Sequence, residues 1–240
     1  MEISDNLFDC LEDSLIKIND ETINSLISES PKTESAFCKK FPSFKKMDYY
    51  ETEIRYAYGE SGPYICGCFC PLVYTDLVMG NSRKGTSTRD IKKINSDEYW
   101  KCYFEKDKLV YAEGIVRKKI SYKTYFVYQE NQITIYTYFQ KTLSQIDIAK
   151  YKNGYIASYL ILYGLTNFDC LVQWEKYDYI YNQNGIYKMT VTDSRGSNSE
   201  YLFTCENGFV KRYCCSDDEY EVKKKVSAFL GQCSKQRDYL

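Results

Sequence analysis

The sequence predicts a mainly β protein: one long antiparallel meander of hairpins recurring about every 23 residues, with helices flanking it at both ends. Three observations predict this. The chain carries 26 Tyr, 12 Phe and 2 Trp, an aromatic share of 17%, and Tyr and Phe favour a pleated, half-buried surface. Between residues 49 and 215 short alternating runs are broken by Gly, Asn and Asp, the texture of strands and turns. Within that stretch five segments align on their turns.

In chain order, residues 1–30 read as a helical segment. Leu7, Phe8, Leu11, Leu15 and Ile18 recur at three- and four-residue spacing, which places them on one helix face. Asp20 is placed to cap a second helix carrying Ile23, Leu26 and Ile27. Pro31 ends this region, and residues 31–48, with Pro42 and several Lys and Ser, read as a linker packed on the strands beyond it. Residues 49–215 form the hairpin repeat domain. Residues 216–240 read as a C-terminal helix, capped by Ser216 or Asp217 and carrying Val222, Val226, Phe229, Leu230 and Cys233 on one face. Terminal helices of this kind cover sheet edges or an apolar face.

The five aligned segments are Tyr103-Phe-Glu-Lys-Asp-Lys-Leu-Val110, Val127-Tyr-Gln-Glu-Asn-Gln-Ile-Thr134, Lys150-Tyr-Lys-Asn-Gly-Tyr-Ile156, Ile180-Tyr-Asn-Gln-Asn-Gly-Ile-Tyr187 and Phe203-Thr-Cys-Glu-Asn-Gly-Phe-Val210. Each has an aromatic lead-in, a polar pair, Asn or Asp, usually Gly, and then an apolar residue. Asn-Gly between apolar runs is a strong hairpin signal because both turn residues need positive φ. The Gly-equivalent positions are 108, 132, 154, 185 and 208, and the long third step, of 31 residues, implies an insertion near Tyr177 to Tyr181. Gly62 and Gly85 extend the ladder upstream in degenerate form. A single hairpin cannot bury its apolar face, so successive hairpins stack into one sheet. Ten to fourteen strands exceed what an open twisted sheet usually holds, so curling or closure is expected.

The unit, with Trp100-Lys-Cys-Tyr-Phe-Glu-Lys-Asp-Lys-Leu-Val-Tyr-Ala-Glu-Gly114 as its fullest copy, resembles the MORN repeat, in its bacterial antitoxin-like variant. The resemblance covers roughly residues 95–213; the second-strand Gly of that family stands at Gly114 and Gly164 and is missing elsewhere. A weaker likeness, to the YD repeats of large bacterial toxins, rests on Tyr177-Asp-Tyr179 and Thr192-Asp-Ser-Arg-Gly196. The MORN resemblance implies a non-enzymatic protein-binding module, an immunity or antitoxin-type protein whose hairpin face occludes a toxin partner. Eukaryotic members of that family suggest a scaffold or adaptor instead.

Composition narrows the chemistry. There is no histidine, which excludes a histidine general base, a Ser-His-Asp or Cys-His triad and every histidine metal site. With 32 basic and 33 acidic residues the net charge is −1, giving no electrostatic reason to expect nucleic acid. No apolar run reaches the roughly 20 residues that span a bilayer. The opening residues lack a basic stretch followed by an apolar one. A cytoplasmic location with the 11 cysteines as reduced thiols is therefore expected. No cofactor is called for.

Four groups are candidate sites. Trp100, Tyr103, Tyr125, Tyr136, Tyr138, Tyr159, Trp174, Tyr177 and Tyr179 are more aromatics than one sheet face needs. Most read as cross-strand core, and those on an uncovered face would make a partner-binding surface, since Tyr and Trp dominate interface hot spots. Cys66, Cys68 and Cys70 point the same way on a strand and could hold zinc, but they lack two-residue spacers and read first as packing. Gly80-Asn-Ser-Arg-Lys-Gly85 is similar to a phosphate loop without its lysine, leaving Arg83, Lys84 and Arg89 as anion-binding candidates. Asp97 with Glu98, and Asp217, Asp218 and Glu219, read as solvated turns rather than paired acid–base carboxylates. A Cys-based zinc-binding regulator or a histidine-free enzyme is the remaining alternative to a binding module.

Overall fold

The computed structural model describes residues 20–45, 53–59, 73–78, 85–166, 172–216, 218–223 and 226–228. The first expected helix, carrying Leu7, Phe8, Leu11, Leu15 and Ile18, and Gly62, Cys66, Cys68, Cys70, Arg83 and Lys84, lie outside the described residues. The described residues include four α-helices: α1 (Asp20–Glu29), α2 (Glu34–Lys40), α3 (Pro42–Lys45) and α4 (Val73–Val78). The strands are β1 (Glu53–Gly59), β2 (Gly85–Thr88), β3 (Glu98–Glu105), β4 (Lys108–Val116), β5 (Lys119–Tyr128), β6 (Gln132–Phe139) and β7 (Thr142–Lys152), followed by β8 (Tyr155–Tyr163), β9 (Gln173–Asn182), β10 (Gly185–Asp193), β11 (Asn198–Glu206), β12 (Phe209–Cys215) and β13 (Asp218–Glu221). They form one antiparallel sheet in the order β13 to β3, then β1 and β2. The sheet stays open, with β13 and β2 at its edges, rather than closing on itself.

The repeat has a clear physical meaning. The aliphatic residue after each predicted turn is Leu109, Ile133, Ile156, Ile186 or Val210, and all five are buried in one core on the inner face. Lead-in aromatics Phe104, Tyr151, Tyr181 and Phe203 join them there. Thus the period marks one apolar row running along the sheet. Two-residue turns with positive φ at both positions join β7 to β8 (Asn153, Gly154) and β11 to β12 (Asn207, Gly208). The same left-handed pair occurs at Lys106-Asp107, Arg117-Lys118 and Gln140-Lys141, where residues with a Cβ hold a conformation that costs about 1–2 kcal/mol each. Bulges next to these turns, such as Tyr103/Phe104, Thr137/Tyr138 and Lys150/Tyr151, increase the local twist.

Three expectations change. The extra length of the 31-residue step falls in the β8–β9 connection, between Tyr163 and Gln173, whereas Tyr177 to Tyr181 are paired strand. Within the expected linker, residues 31–45 are more than a linker: Thr33 caps α2 by accepting from the Ala36 amide at 3.2 Å, and Phe37 is fully buried. Residues 218–221 begin no helix but form β13, because Tyr220 stacks on Tyr213 at 5.0 Å and Glu219 reaches Arg212 at 3.4 Å. Tertiary pairing overrides the local helical pattern. Farther on, the Val226 carbonyl accepts from Val210 N, and the Ala228 carbonyl accepts from Ile186 N at 2.7 Å. Gly185 faces that segment with φ 126°, and a Cβ there would lie 2.3 Å from Ala228 Cβ, so only glycine fits. The remainder of the expected C-terminal helix, residues 229–240, lies outside the described residues.

Candidate functional site

The outer face of the sheet divides into two halves. Over β3–β8 it is covered by α1–α3, with Phe37 as the central knob. Its ring lies 4.4 Å from Tyr125, 5.4 Å from Tyr136 and 5.9 Å from Tyr138, with Phe41 and Phe44 packed beside it. The helical strap is tied down by backbone bonds from Glu34 N to Lys141 O and from Leu143 N to Lys32 O. Tyr138 donates its hydroxyl to Pro31 O at 2.9 Å, and burial pushes its pKa far up.

Beside this cover lies a cleft of about 630 Å³ between α2–α3 and strands β3–β5. Its floor is two cross-strand rows. Tyr103, Tyr111 and Tyr125 stand side by side with centroids 5.2 and 4.8 Å apart. Lys101, Glu113 and Lys123 are register partners along the next row. Tyr103 and Tyr111 each donate to one oxygen of Glu113, at 3.0 and 3.1 Å. Lys123 donates to Glu34 at 2.6 Å, and Tyr125 donates to the same oxygen at 2.9 Å. Lys101 instead sits over the Tyr103 ring, 4.9 Å from its centroid.

The second half, over β10–β13, is bare among the described residues. Strand β11 alternates cleanly, with Tyr201 and Phe203 buried inward and Glu200, Leu202 and Thr204 exposed outward. Leu202 is 44% exposed and lies opposite Lys188 and Cys214. Two ion pairs frame it, Lys188 with Glu200 and Arg212 with Glu219. A shallow cavity of about 300 Å³ runs beside Leu202 and Cys214. The seam between the halves is strand β9, where Lys176 and Asp178 pair at 2.5 Å while both are 8% exposed. Burial raises the Asp178 pKa, an effect the Lys176 hydrogen bond opposes.

Of the nine aromatic partner-binding candidates, Tyr103, Tyr125, Tyr136, Tyr138, Tyr159, Tyr177 and Tyr179 are buried, and Trp100 and Trp174 are half-buried. They are packing residues here, not an exposed stripe. Tyr103, Tyr125, Tyr136 and Tyr138 belong to the outer core and Tyr159, Tyr177 and Tyr179 to the inner one, so no single face brings the set together. Arg89 pairs with Glu53 at 2.6 Å, so its charge is already met by a carboxylate. Hydrogen bonding from Arg55 holds Glu53 down at about 2. Sequence reading missed Glu34, Lys101, Tyr111, Glu113 and Lys123. The available signal was alternation on β3–β5, which sets Lys101, Glu113 and Lys123 on one face.

A further titratable group on the inner face is deeply buried. Asp147, 1% exposed between its register partners Ile135 and Ile161, accepts from Gln145 Nε2 and from Tyr159 at 3.0 Å. Burial raises its pKa to about 7. Enclosed in this way, its protonation is coupled to the stability of the fold.

No protein-family model matches the chain, and no curated protein matches it. No helix among the described residues is long and apolar enough to cross a membrane.

Proposed function

We propose that this chain is a non-enzymatic protein-binding module, of the immunity or antitoxin kind, that docks a protein partner on the outer face of β10–β13. The observation that carries the reading is the bare, regular surface centred on Leu202. An apolar centre with Cys214 beside it, ringed by Lys188–Glu200 and Arg212–Glu219, has the apolar-core and polar-rim layout of protein interfaces. Thirteen hydrogen-bonded strands hold that surface with little conformational freedom left to lose on binding, which favours affinity. The MORN-like period supports the antitoxin reading, in which occluding a toxin requires a complementary surface and no catalytic group.

The test is co-purification of the tagged chain from its own host, followed by mass spectrometry, with wild type and Leu202→Arg in parallel. A single stoichiometric toxin-domain partner that is lost with Leu202→Arg, at unchanged thermal stability, is the expected result. A partner retained equally by the variant, or none with either protein, contradicts the proposal.

A further inference from the structure

We propose that the cleft between α2–α3 and β3–β5 binds a small zwitterion, a free α-amino acid or short peptide, independently of the docking face on β10–β13. Lys101 and Glu113 stand directly opposite each other on neighbouring strands, a placement that ordinarily gives a cross-strand ion pair. Here no such pair forms. The Glu113 carboxylate is drawn to one side by the Tyr103 and Tyr111 hydroxyls, and the Lys101 ammonium leans over the Tyr103 ring. Among the described residues, Lys101 therefore has no carboxylate partner and Glu113 no cationic one. Opposite charges are held apart, half-buried, at the floor of an opening of about 630 Å³.

A ligand carrying an ammonium and a carboxylate a few bonds apart completes both, its carboxylate on Lys101 and its ammonium on Glu113. Phe44, Ile54 and Cys38 line the same cleft and offer an apolar wall to a side chain. Other ligand classes fit less well. Lys123 is already matched by Glu34 at 2.6 Å, so the floor as a whole is neutral and does not concentrate phosphates. Tyr103, Tyr111 and Tyr125 are 5%, 2% and 3% exposed, so they give no ring face on which a sugar or base could stack.

The experiment is calorimetric titration of the full chain with L-glutamate, L-lysine, L-tyrosine and glycyl-L-tyrosine, and with their N-acetyl and C-amide derivatives. At least one zwitterion is expected to bind with a Kd below about 10 mM, a weak but measurable affinity. Each blocked derivative is expected to bind about 10-fold or more weakly, the loss of one charge-assisted hydrogen bond. Lys101→Ala is expected to abolish the distinction between acid and amide, and Glu113→Gln that between amine and N-acetyl. The comparison of blocked and free ligands on wild type stands even if a variant folds poorly. Absence of binding by all four zwitterions overturns the proposal, as does equal binding of the blocked derivatives or unchanged selectivity in folded variants.

Discussion

Strands β8 and β11 belong to one sheet and share one inner core, yet they differ on the outer side. In β8 every residue from Ile156 to Leu162 is buried, whereas β11 buries only Tyr201 and Phe203. The difference lies in what covers them. Residues 20–45 fold into helices over β3–β8 and bury a second core there, and among the described residues nothing does the same for β10–β13. The repeat therefore specifies one face of the sheet, and non-repeat sequence decides whether the other face is core or surface.

The largest expected effect is at the knob of the covered half. Phe37→Ala removes a fully buried ring that touches Phe41, Phe44, Tyr125, Tyr136 and Tyr138. It is expected to cost about 3–5 kcal/mol in urea unfolding. A loss below about 1 kcal/mol, on the order of a surface change, would break the distinction between the halves.

Asp147 gives the next largest effect. Folding raises its pKa from 3.8 to about 7, so the folded chain keeps a proton that the unfolded chain releases. Stability then falls as pH rises from about 4 to 7 and is flat above, by on the order of 4 kcal/mol across the window. Asp147→Asn is expected to stabilise the protein at pH 8 by about 2–4 kcal/mol and to remove most of that slope. Urea midpoints at pH 5 and pH 8 measure both, and an unchanged slope in the variant would show that Asp147 is not the group responsible.

Matched leucines sharpen the comparison further. Leu162 on β8 is fully buried and Leu202 on β11 is 44% exposed, on the same outer face. Leu162→Ala is expected to cost about 2–5 kcal/mol, and Leu202→Ala to stay within about 0.5 kcal/mol. Equal losses would mean that the second half is covered too. A small gain of about 1 kcal/mol is expected from replacing Gln140-Lys141 by Asn-Gly, because φ values of 46° and 75° suit those residues better. Thermal melting reads this change, and a lower melting temperature would show that the Gln140 or Lys141 side chain stabilises the turn.

The legible part of the fold was the part that repeats. Asn153-Gly154 and Asn207-Gly208 announce their turns because those residue types tolerate positive φ. The turns at Arg117-Lys118 and Gln140-Lys141 carry no such chemistry and are imposed by the strands on either side. α2 was hidden behind Pro31 and Pro42, although Phe37, Phe41 and Phe44 had helical spacing after a capping Thr33. The fate of the tyrosines was illegible for another reason. Alternation tells which face a residue takes, but burial of Tyr125 and Tyr136 depends on Phe37, far away in the chain. The cleft has the same difficulty: Lys123 meets Glu34 across 89 residues, and no local pattern brings them together.

The most direct measurement is amide hydrogen exchange of the chain with and without its co-purified partner, resolved strand by strand. The account predicts added protection confined to β10–β13, with β4–β8 unchanged under their helical cover. Added protection over α1–α3 with none on β10–β13 would contradict it and place the docking surface on the covered half.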